Sequence, residues 1–388
     1  MSRLTVVQIL PALDAGGVER GTLEMAAALV AAGHRSIVIS SGGRLVAQLE
    51  REGSEHITLP VQRKSIASLL QVRPLRRLIE EIKPDIIHAR SRVPAWIAWL
   101  ALRKIPEAAR PRFITTVHGL YSVSPYSAIM TRGDKVIAIS ETVRDYIRKN
   151  YPQCPEERIV LISEGIDPAD FPYAYQPSTA WLAQWRADFP ELAGKTVLAL
   201  PGRLTRLKGH ATFIQLIKTL SASHPDIHGL VIGGAEARKA AYAEELRALV
   251  AAEGLADRIS FTGHRDDMRE VLSQCDLIFS LSTKPETFGR TVLEAILLGK
   301  PVIGWDIGGV GEILRKCYPQ GVTRNSNEAE LLKTCAHWLE TPTQPAPGAA
   351  FPLDAMVAQT LRLYAGSARD AASPARDNSA ITPEEKQK

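Results

Sequence analysis

The chain has 388 residues, of which 45% are hydrophobic and 23% are charged, and its formal net charge at pH 7 is +5. This length predicts two domains, and the composition is that of an ordinary soluble globular protein, which excludes a fibrous or fully disordered chain. The charge permits an anionic substrate or an acidic membrane surface. The sequence contains no run of Lys and Arg with interleaved aromatic residues, so it does not indicate a nucleic-acid partner.

The 4 cysteines are scattered and form no Cys-x-x-Cys pair. This spacing excludes a disulfide framework and a zinc site of the usual kind, and it suits a reducing cytosol. Met1-Ser-Arg-Leu4 runs straight into an apolar stretch, which predicts no signal peptide. No apolar run approaches the length of a membrane span, so we expect a cytoplasmic protein.

The chain opens with a predicted strand at 4–10, a glycine-rich loop and a helix, and the next strand at 37–40 completes a βαβ unit. Val18 occupies a position where the dinucleotide motif Gly-x-Gly-x-x-Gly needs glycine. Thr22-Leu23 stand where a Walker A motif has Lys and Ser or Thr. The loop therefore predicts neither NAD binding nor P-loop ATPase chemistry, and a plain tight turn is the alternative to a ligand-binding loop.

Polar residues follow two later strands of this first half, which we predict at 85–89 and 113–117. Ligands of α/β sheets bind beyond the carboxyl ends of the strands. Arg90 and Arg92 come after the first of these strands, and Tyr121 begins a Ser/Tyr-rich loop after the second. We expect these three residues to contact an anionic acceptor, and a solvated turn is the alternative interpretation.

His118 also follows the strand at 113–117 and stands beside Gly119, which lets backbone and ligand approach closely. A lone histidine is usually structural, but its position at a strand end favours a ligand contact. A stretch rich in Pro, Tyr, Trp and Ala at 171–189 then marks the boundary between two domains, which we place at 1–170 and 171–350.

The second α/β series begins with a predicted strand at 197–200 and the loop 201–209. Arg203 and Lys208 flank this loop, directly before a helix. Fixed cations beside the start of a helix make a diphosphate site, whereas a solvated loop is the alternative.

The stretch 284–303 predicts a loop, a helix and a buried strand of a parallel sheet. The helix starts near Phe288 and Gly289, where backbone N–H groups without helical partners bind phosphate. Glu286 precedes the helix start, and Glu294 lies roughly 7–9 Å along the axis from it. One ligand with phosphates on the helix start would reach both acids, and two solvated helix acids are the alternative.

Glu286 and Glu294 match the Glu-x7-Glu motif of retaining GT-B glycosyltransferases, and Glu-Thr-Phe-Gly resembles glycosyltransferase family 4. The resemblance covers about residues 4–340. It implies an α/β GT-B fold, in which two doubly wound Rossmann-like domains face an inter-domain cleft and the first domain is on the acceptor side. A last helix at about 353–366 would cross back to the first domain. The composition of 367–388 predicts a disordered tail.

The resemblance also implies residue roles. Glu286 would contact the donor sugar, the amides after it would hold the diphosphate, and Glu294 would bind the ribose hydroxyls. His118, in Thr116-Val-His-Gly119, would contact the sugar near the reacting centre. The implied catalytic residues are His118, Glu286, Arg203 and Lys208. The implied donor-binding residues are Gly16, Gly17, Gly202, Arg203, Lys208, Gly263, His264, Glu286, Thr287, Phe288, Gly289, Arg290 and Glu294.

Two further segments bear on the resemblance. The family usually has Asn where this chain has Glu164, so the resemblance implies no role for that residue. The segment 305–313 resembles the Gly-Gly-x-x-Glu segment of the family. We expect it to shape the phosphate pocket, and a packing turn is the alternative.

The expected reaction is retaining transfer of a sugar from a UDP- or GDP-sugar to a hydroxyl of a glycan or glycolipid, in bacterial lipopolysaccharide or cell-surface polysaccharide synthesis. We expect no cofactor and no metal, because Arg203, Lys208 and the helix start would neutralise the leaving group. We further expect peripheral contact with the anionic cytoplasmic face of the inner membrane.

Three alternatives remain at this point. They are a GT-B nucleotide-sugar epimerase, a glycoside hydrolase that uses Glu286 and Glu294, and a non-catalytic nucleotide-sugar-binding subunit. The hydrolase leaves Arg203 and Lys208 unexplained. The sequence indicates neither the sugar, the base and the acceptor nor the oligomeric state.

Overall fold

A computed structural model describes residues 3–14, 16–62, 66–234, 240–348 and 350–372. Within these ranges the strands form two parallel sheets, one of seven strands and one of six. The predicted α/β class with two doubly wound Rossmann-like domains is therefore confirmed. The chain divides into two compact units. The first unit consists of Met1–Thr116, Ser124–Val136 and Val357–Lys388, and the second consists of Val117–Val123 and Ile137–Met356. The domain limits 1–170 and 171–350 stay predictions.

The strands of the first sheet are β1 Thr5–Ile9, β2 Arg35–Ser40, β3 Glu55–Thr58, β4 Ile86–Ala89, β5 Arg112–Val117, β6 Lys135–Ala138 and β7 Ile159–Leu161. The helices in this part of the chain are α1 Gly17–Ala31, α2 Val46–Arg51, α3 Val72–Ile82, α4 Arg92–Leu102 and α5 Glu141–Asn150. The sheet order is β3-β2-β1-β4-β5-β6-β7. Its switch point lies between β1 and β4, where the strand order reverses and α/β proteins bind ligands.

Apolar runs explain why these strands form in the interior. Every residue of β4 is buried, and so is every residue of β1 except Thr5. Strands that helices cover on both faces are largely apolar and do not alternate, and Gln8 and His88 are buried polar exceptions in β1 and β4. Val6–Ile9 pairs in parallel register with Ile86–Ala89, so the ends of β1 and β4 reach the sheet edge together.

The strands of the second sheet are β8 Thr196–Pro201, β9 Ile227–Ile232, β10 Ile259–Gly263, β11 Leu277–Ser280, β12 Val302–Trp305 and β13 Val322–Thr323. The later helices are α6 Thr179–Asp188, α7 His210–Ser221, α8 Ala240–Ala252, α9 Met268–Ser273, α10 Arg290–Leu297, α11 Gly308–Cys317, α12 Glu328–Glu340 and α13 Leu353–Ala372. The sheet order is β10-β9-β8-β11-β12-β13, with the switch point between β8 and β11. Phe213 and Phe279 pack in the core beneath it, with ring centroids 5.5 Å apart.

The helix expected at about 353–366 is α13, which continues to Ala372. Tyr364 on this helix is fully buried, and its hydroxyl lies 2.6 Å from Nδ1 of His88 on β4. Nε2 of the same histidine lies 2.6 Å from the hydroxyl of Thr116 on β5. This hydrogen-bonded chain ties the second half of α13 to the first sheet. Residues 373–388 of the predicted tail lie outside the described residues.

None of the helices in the described ranges combines the length and the apolar character needed to cross a membrane.

Candidate functional site

The loop that follows β8 is shaped by two glycines with positive φ. Gly202 has φ 148°, and a Cβ there would lie 3.3 Å from Cδ of Lys208. The aliphatic stem of Lys208 therefore lies over the Gly202 backbone. Gly209 has φ 76°, and a Cβ there would lie 2.2 Å from the carbonyl oxygen of Leu281. The loop can approach the end of β11 because Gly209 has no side chain that would collide with Leu281.

This approach brings Lys208 and Glu286 together, as the sequence predicts for one ligand site. Nζ of Lys208 lies 2.6 Å from Oε1 of Glu286, and each side chain is 28% exposed. The buried hydroxyl of Ser282 donates to the same carboxylate oxygen. Arg203 is exposed in the same loop. A partly exposed cation and a partly exposed acid thus lie side by side at this loop.

The loop Glu286–Gly289 is held by a second pair of glycines at the start of α11. The amide of Gly309 donates to the carbonyl oxygen of Glu286 at 2.8 Å. A Cβ at Gly308 would lie 2.6 Å from that oxygen, and a Cβ at Gly309 would lie 2.3 Å from the carbonyl oxygen of Phe288. The two glycines therefore support the backbone of the loop directly. They shape the loop by packing against it.

Gly289 ends this loop in the left-handed conformation, with φ 104°, and precedes the first residue of α10. The hydroxyl of Thr287 donates to the carbonyl oxygen of His118 at 3.1 Å. Tyr121 lies three residues further on, and its carbonyl oxygen accepts a 2.6 Å hydrogen bond from the hydroxyl of Tyr146. The structure thus brings His118 to the loop of Glu286, although 168 residues separate them in the sequence.

The second acid of the motif, Glu294, is buried on α10 and is 6% exposed. Its Oε1 lies 3.3 Å from Nε of Arg290, one helical turn before it. Nη1 of Arg290 lies 3.6 Å from Oε1 of Glu164. Glu164 thus contacts Arg290, one of the predicted donor-binding residues. The sequence did not indicate this contact.

The predicted residues Gly263 and His264 lie at the end of β10, of which Gly263 is the last residue and His264 the next one. Gly263 has φ 70° and pairs with Gly233 in an isolated bridge. The His264 side chain is 75% exposed and lies 3.2 Å from Oδ1 of Asp266. This strand end therefore offers mainly backbone groups and an exposed imidazole.

In the first unit, Gly16 and Gly17 begin α1 at the end of β1. Gly16 has φ 140°, and a Cβ there would lie 2.5 Å from Oε2 of Glu19. Burial raises the pKa of the Glu19 carboxyl above its ordinary value, and the nearby charge of Asp14 acts in the same direction. Glu19 lies in the first turn of α1, directly after the two glycines.

Arg90 and Arg92 differ in their surroundings. Arg90 is 6% exposed, and its Nη1 donates to Oε1 of Gln8 at 3.0 Å. The guanidinium of Arg92 lies 5.5 Å from the ring centre of Tyr126 and donates to Ser127 at 3.4 Å. Arg90 therefore forms a buried hydrogen bond with β1, whereas Arg92 packs on the partly exposed ring of Tyr126. Their acceptor roles stay predictions.

Among the described residues, no group of three or more His, Cys, Asp and Glu side chains forms a cluster that could hold a metal ion.

Two family models match the chain. Glycosyltransferase Family 4 matches residues 15–170, and Glycosyl transferases group 1 matches residues 183–347. Together these ranges take up most of the sequence. The chain belongs to the glycosyltransferases of family 4, group 1 type. The resemblance expected from the Glu286 and Glu294 motif is thereby confirmed, and membership does not favour the epimerase and hydrolase alternatives.

Solved structures agree with this assignment. A glycosyltransferase from Rickettsia africae ESF-5 superposes with a TM-score of 0.82 and is 28% identical, over 95% of this chain and 99% of that chain. Anabaena Alr3699/HepE, solved with UDP and glucose, has a TM-score of 0.75 and 21% identity, over 94% of this chain and all of that one. The second likeness shows the fold alone. The predicted GT-B fold is confirmed.

Curated relatives match shorter stretches. The D-inositol 3-phosphate glycosyltransferase of Stackebrandtia nassauensis is 25% identical over 247 residues, which are 58% of this chain and 54% of that protein. The lipopolysaccharide core biosynthesis mannosyltransferase LpsB of Rhizobium meliloti is 35% identical over 113 residues, which are 29% of this chain and 32% of that protein. The chain therefore spans about a third to a little over half of the length of these relatives.

Proposed function

We propose that this glycosyltransferase moves a sugar from a nucleoside diphosphate to a hydroxyl group of a glycan or glycolipid, with retention of the anomeric configuration. One observation carries the proposal. In the second unit, Lys208 and Glu286 meet directly in front of the first turn of α10. A cation, an acid and a helix start are the groups that a sugar diphosphate needs, because the first and last stabilise phosphate and the acid accepts sugar hydroxyls.

The charge that develops on the leaving diphosphate determines what these groups do. The bond between the anomeric carbon and the β-phosphate oxygen breaks as the acceptor hydroxyl attacks from the same face. The acceptor proton passes to the departing phosphate oxygen, so that no protein nucleophile is required. Lys208, Arg203 and the amides at the start of α10 would stabilise the departing charge in place of a metal ion.

Donor binding would also change the ion pair that the structure contains. A diphosphate beside Lys208 competes with Glu286 for the ammonium group. Glu286 would then accept hydrogen bonds from the sugar, while Ser282 continues to donate to its Oε1. His118 would contact the sugar next to it, because Thr287 holds its backbone beside the same loop. The backbone at Gly263 and His264 would receive the base.

A binding panel tests this proposal. Titration calorimetry with UDP, GDP and ADP, each with and without magnesium, should show metal-independent binding of at least one diphosphate. The matching sugar nucleotide should then glycosylate an acceptor from a lipopolysaccharide core panel, and the anomeric coupling constant in the NMR spectrum of the product should show retention. A folded protein that binds no nucleotide, or that inverts the anomeric centre, would contradict the proposal.

We place the reaction in lipopolysaccharide or cell-surface polysaccharide synthesis. Two relatives support this pathway, LpsB and the mannosyltransferase LpcC of Rhizobium leguminosarum, which is 27% identical over 216 residues and is also named for lipopolysaccharide core biosynthesis. We accordingly infer a cytoplasmic enzyme that uses a cytoplasmic sugar nucleotide. Deletion of the gene in the source organism should shorten its cell-surface glycan on a gel, and an unchanged glycan would contradict the pathway.

A peripheral contact with an anionic membrane forms part of the same proposal. Leu69 and Leu70 are 50% and 71% exposed, directly before α3. Arg73 and Arg77, both exposed, follow within the next two turns, and no acid occurs between 66 and 79. Exposed leucines beside cations suit the interface of a bilayer that contains acidic lipids.

Vesicle sedimentation tests this contact. The wild-type protein should sediment with vesicles that contain phosphatidylglycerol and remain in solution with pure phosphatidylcholine. Leu69→Asp with Leu70→Asp should abolish sedimentation, whereas Val123→Asp, at an apolar side chain that is 57% exposed elsewhere, should not. Equal sedimentation of the two variants would contradict the contact.

A further inference from the structure

Glu164 departs from the asparagine that the family usually has, and the structure gives it a definite place. It lies beyond β7, and its backbone N–H donates to the carbonyl oxygen of Ile139 at 3.1 Å. Its side chain is only 12% exposed. A carboxylate held at so low an exposure requires a charged or hydrogen-bonding partner, because its transfer out of water is costly.

One partner of Glu164 is Arg290, the first residue of α10. The guanidinium of Arg290 lies between two carboxylates, with Nη1 3.6 Å from Oε1 of Glu164 and Nε 3.3 Å from Oε1 of Glu294. The side chains of Arg290 and Glu294 are 16% and 8% exposed. With both carboxyls ionised the three groups carry one net negative charge, whereas asparagine at 164 would leave the set neutral.

This arrangement is unexpected for a site that takes an anion. A cation at the N-terminus of a helix is repelled by the helix dipole, while a diphosphate at the same place is attracted to it. Arg290 would therefore pair readily with a bound phosphate if its carboxylate partners were weaker. Two carboxylates compete with the phosphate for this guanidinium, and Glu164 is the one that distinguishes this chain from the family pattern.

We propose that Glu164 is a positioning residue that sets the preference between the sugar nucleotide and the free nucleoside diphosphate. The inference rests on the proposed function. Glu164 and Glu294 keep Arg290 in their ion pair, so that the diphosphate is bound by Lys208, Arg203 and backbone amides.

The two ligands differ in charge, which makes the effect selective. The terminal phosphate of a free nucleoside diphosphate carries about −1.5 to −2 at pH 7 because its second pKa is near 6. In the sugar nucleotide the same phosphate is a diester with a single charge. An additional available cation favours the more highly charged ligand, which is the product. By retaining Arg290, Glu164 weakens product binding more than donor binding and thereby limits product inhibition.

Calorimetry with two pairs of ligands tests this role. UDP with UDP-glucose and GDP with GDP-mannose are titrated in the absence of acceptor into wild type, Glu164→Gln and Glu164→Asn. The control is Asp170→Asn, which removes the same charge from an exposed side chain six residues away. We expect the Glu164 variants to bind the diphosphate about threefold to tenfold more tightly, with a smaller gain for the sugar nucleotide. If they change both affinities by the same factor, or no more than Asp170→Asn does, the proposal is wrong.

A measurement without ligand separates the ion pair from the proposed function. Urea unfolding of Glu164→Gln, Arg290→Gln and the double variant gives the coupling between the two side chains. We expect a clear coupling, because the single Arg290 variant leaves two carboxylates close together without their cation. Absence of coupling would overturn the pair itself. Coupling in a protein that binds no nucleotide would instead contradict the proposed function and the role of Glu164 in donor binding. The ion pair between Glu164 and Arg290 would then contribute only to stability.

Discussion

The loops after β1 and β8 occupy the same place in two sheets, since each follows the strand beside the switch point, but they carry different charges. The first loop contains Asp14 and leads into α1, whose first turn contains a second acid, Glu19. The second brings Arg203 and Lys208 to the start of α7. Both use glycines with positive φ, such as Gly16 at 140°, to turn sharply into the helix.

The cations near the two loops also differ in exposure. Arg90 in the first unit is 6% exposed and bonded to Gln8, whereas the side chain of Lys208 in the second is 28% exposed and paired with Glu286. Topology therefore supplies the place for a ligand in both sheets, but the side chains decide which ligand it can be. The side-chain charges of the second loop suit a diphosphate, whereas the first loop leads to acids, and the donor role of Gly16 and Gly17 stays a prediction.

We expect the largest effect on catalysis when the two cations of the second loop are removed. Arg203→Ala with Lys208→Ala should lower kcat about 100-fold to 1,000-fold, because both charges act on the departing diphosphate. Nucleotide affinity, measured by calorimetry, should fall less than kcat. Arg206→Ala is the matched control, since this cation of the same loop pairs with Glu245 and its side chain is 71% exposed. Equal kcat values for the double variant and the control would show that Arg203 and Lys208 do not contribute to catalysis.

A second prediction concerns the helix behind that loop. His210 begins α7 and is fully buried, and burial lowers its pKa to about 4 from an ordinary value of 6.5. Between these values the unfolded chain binds the proton and the folded chain does not, so stability should fall as the pH falls from 6.5 to 4. The shift corresponds to about 3 kcal/mol.

Urea unfolding at pH 7 and at pH 4 measures this loss. His210→Phe should lose about 3 kcal/mol less than wild type between the two pH values, whereas His337→Phe, at an exposed histidine, should follow wild type. An identical pH dependence in wild type and His210→Phe would show that the histidine becomes charged without cost.

The smallest effect belongs to the first loop. The pKa of Glu19 is raised in the folded chain, so the folded state holds this proton more tightly than the unfolded state. The charged carboxyl therefore opposes folding above its pKa, and this penalty disappears as the pH falls. Glu19→Gln should raise the unfolding free energy at pH 7 by less than about 1 kcal/mol and leave it unchanged near pH 3. A destabilised variant at pH 7 would mean that the charged form is favoured, and the two loops would then be more alike than proposed.

Much of the fold was predictable because its signals are local. Short, mainly apolar runs such as 197–200 favour buried strands between helices, and a glycine in the turn that follows, such as Gly202, marks the strand end. The motif of Glu286 and Glu294 was also visible, since a fixed spacing on one helix start fixes the relative positions of its acids.

The remaining features depend on contacts between residues far apart in sequence. Arg290 lies between Glu294, four residues away, and Glu164, which is 126 residues away. No spacing rule connects such a pair. Arg90 likewise had the sequence context of an exposed loop residue, and only the packing of β1 against β4 makes it a buried partner of Gln8.

The paired glycines at the start of α11 have a consequence for how this site can be mapped. A methyl group at Gly309 would lie 2.3 Å from the carbonyl oxygen of Phe288, and one at Gly308 would lie 2.6 Å from that of Glu286. Alanine at either position would displace the loop 286–289 by steric collision alone. An alanine scan would therefore report these two positions as sensitive, because each substitution would move the backbone of Glu286 or Phe288. Their intolerance would measure steric collision, and a mutational map of the family should treat them as part of the scaffold.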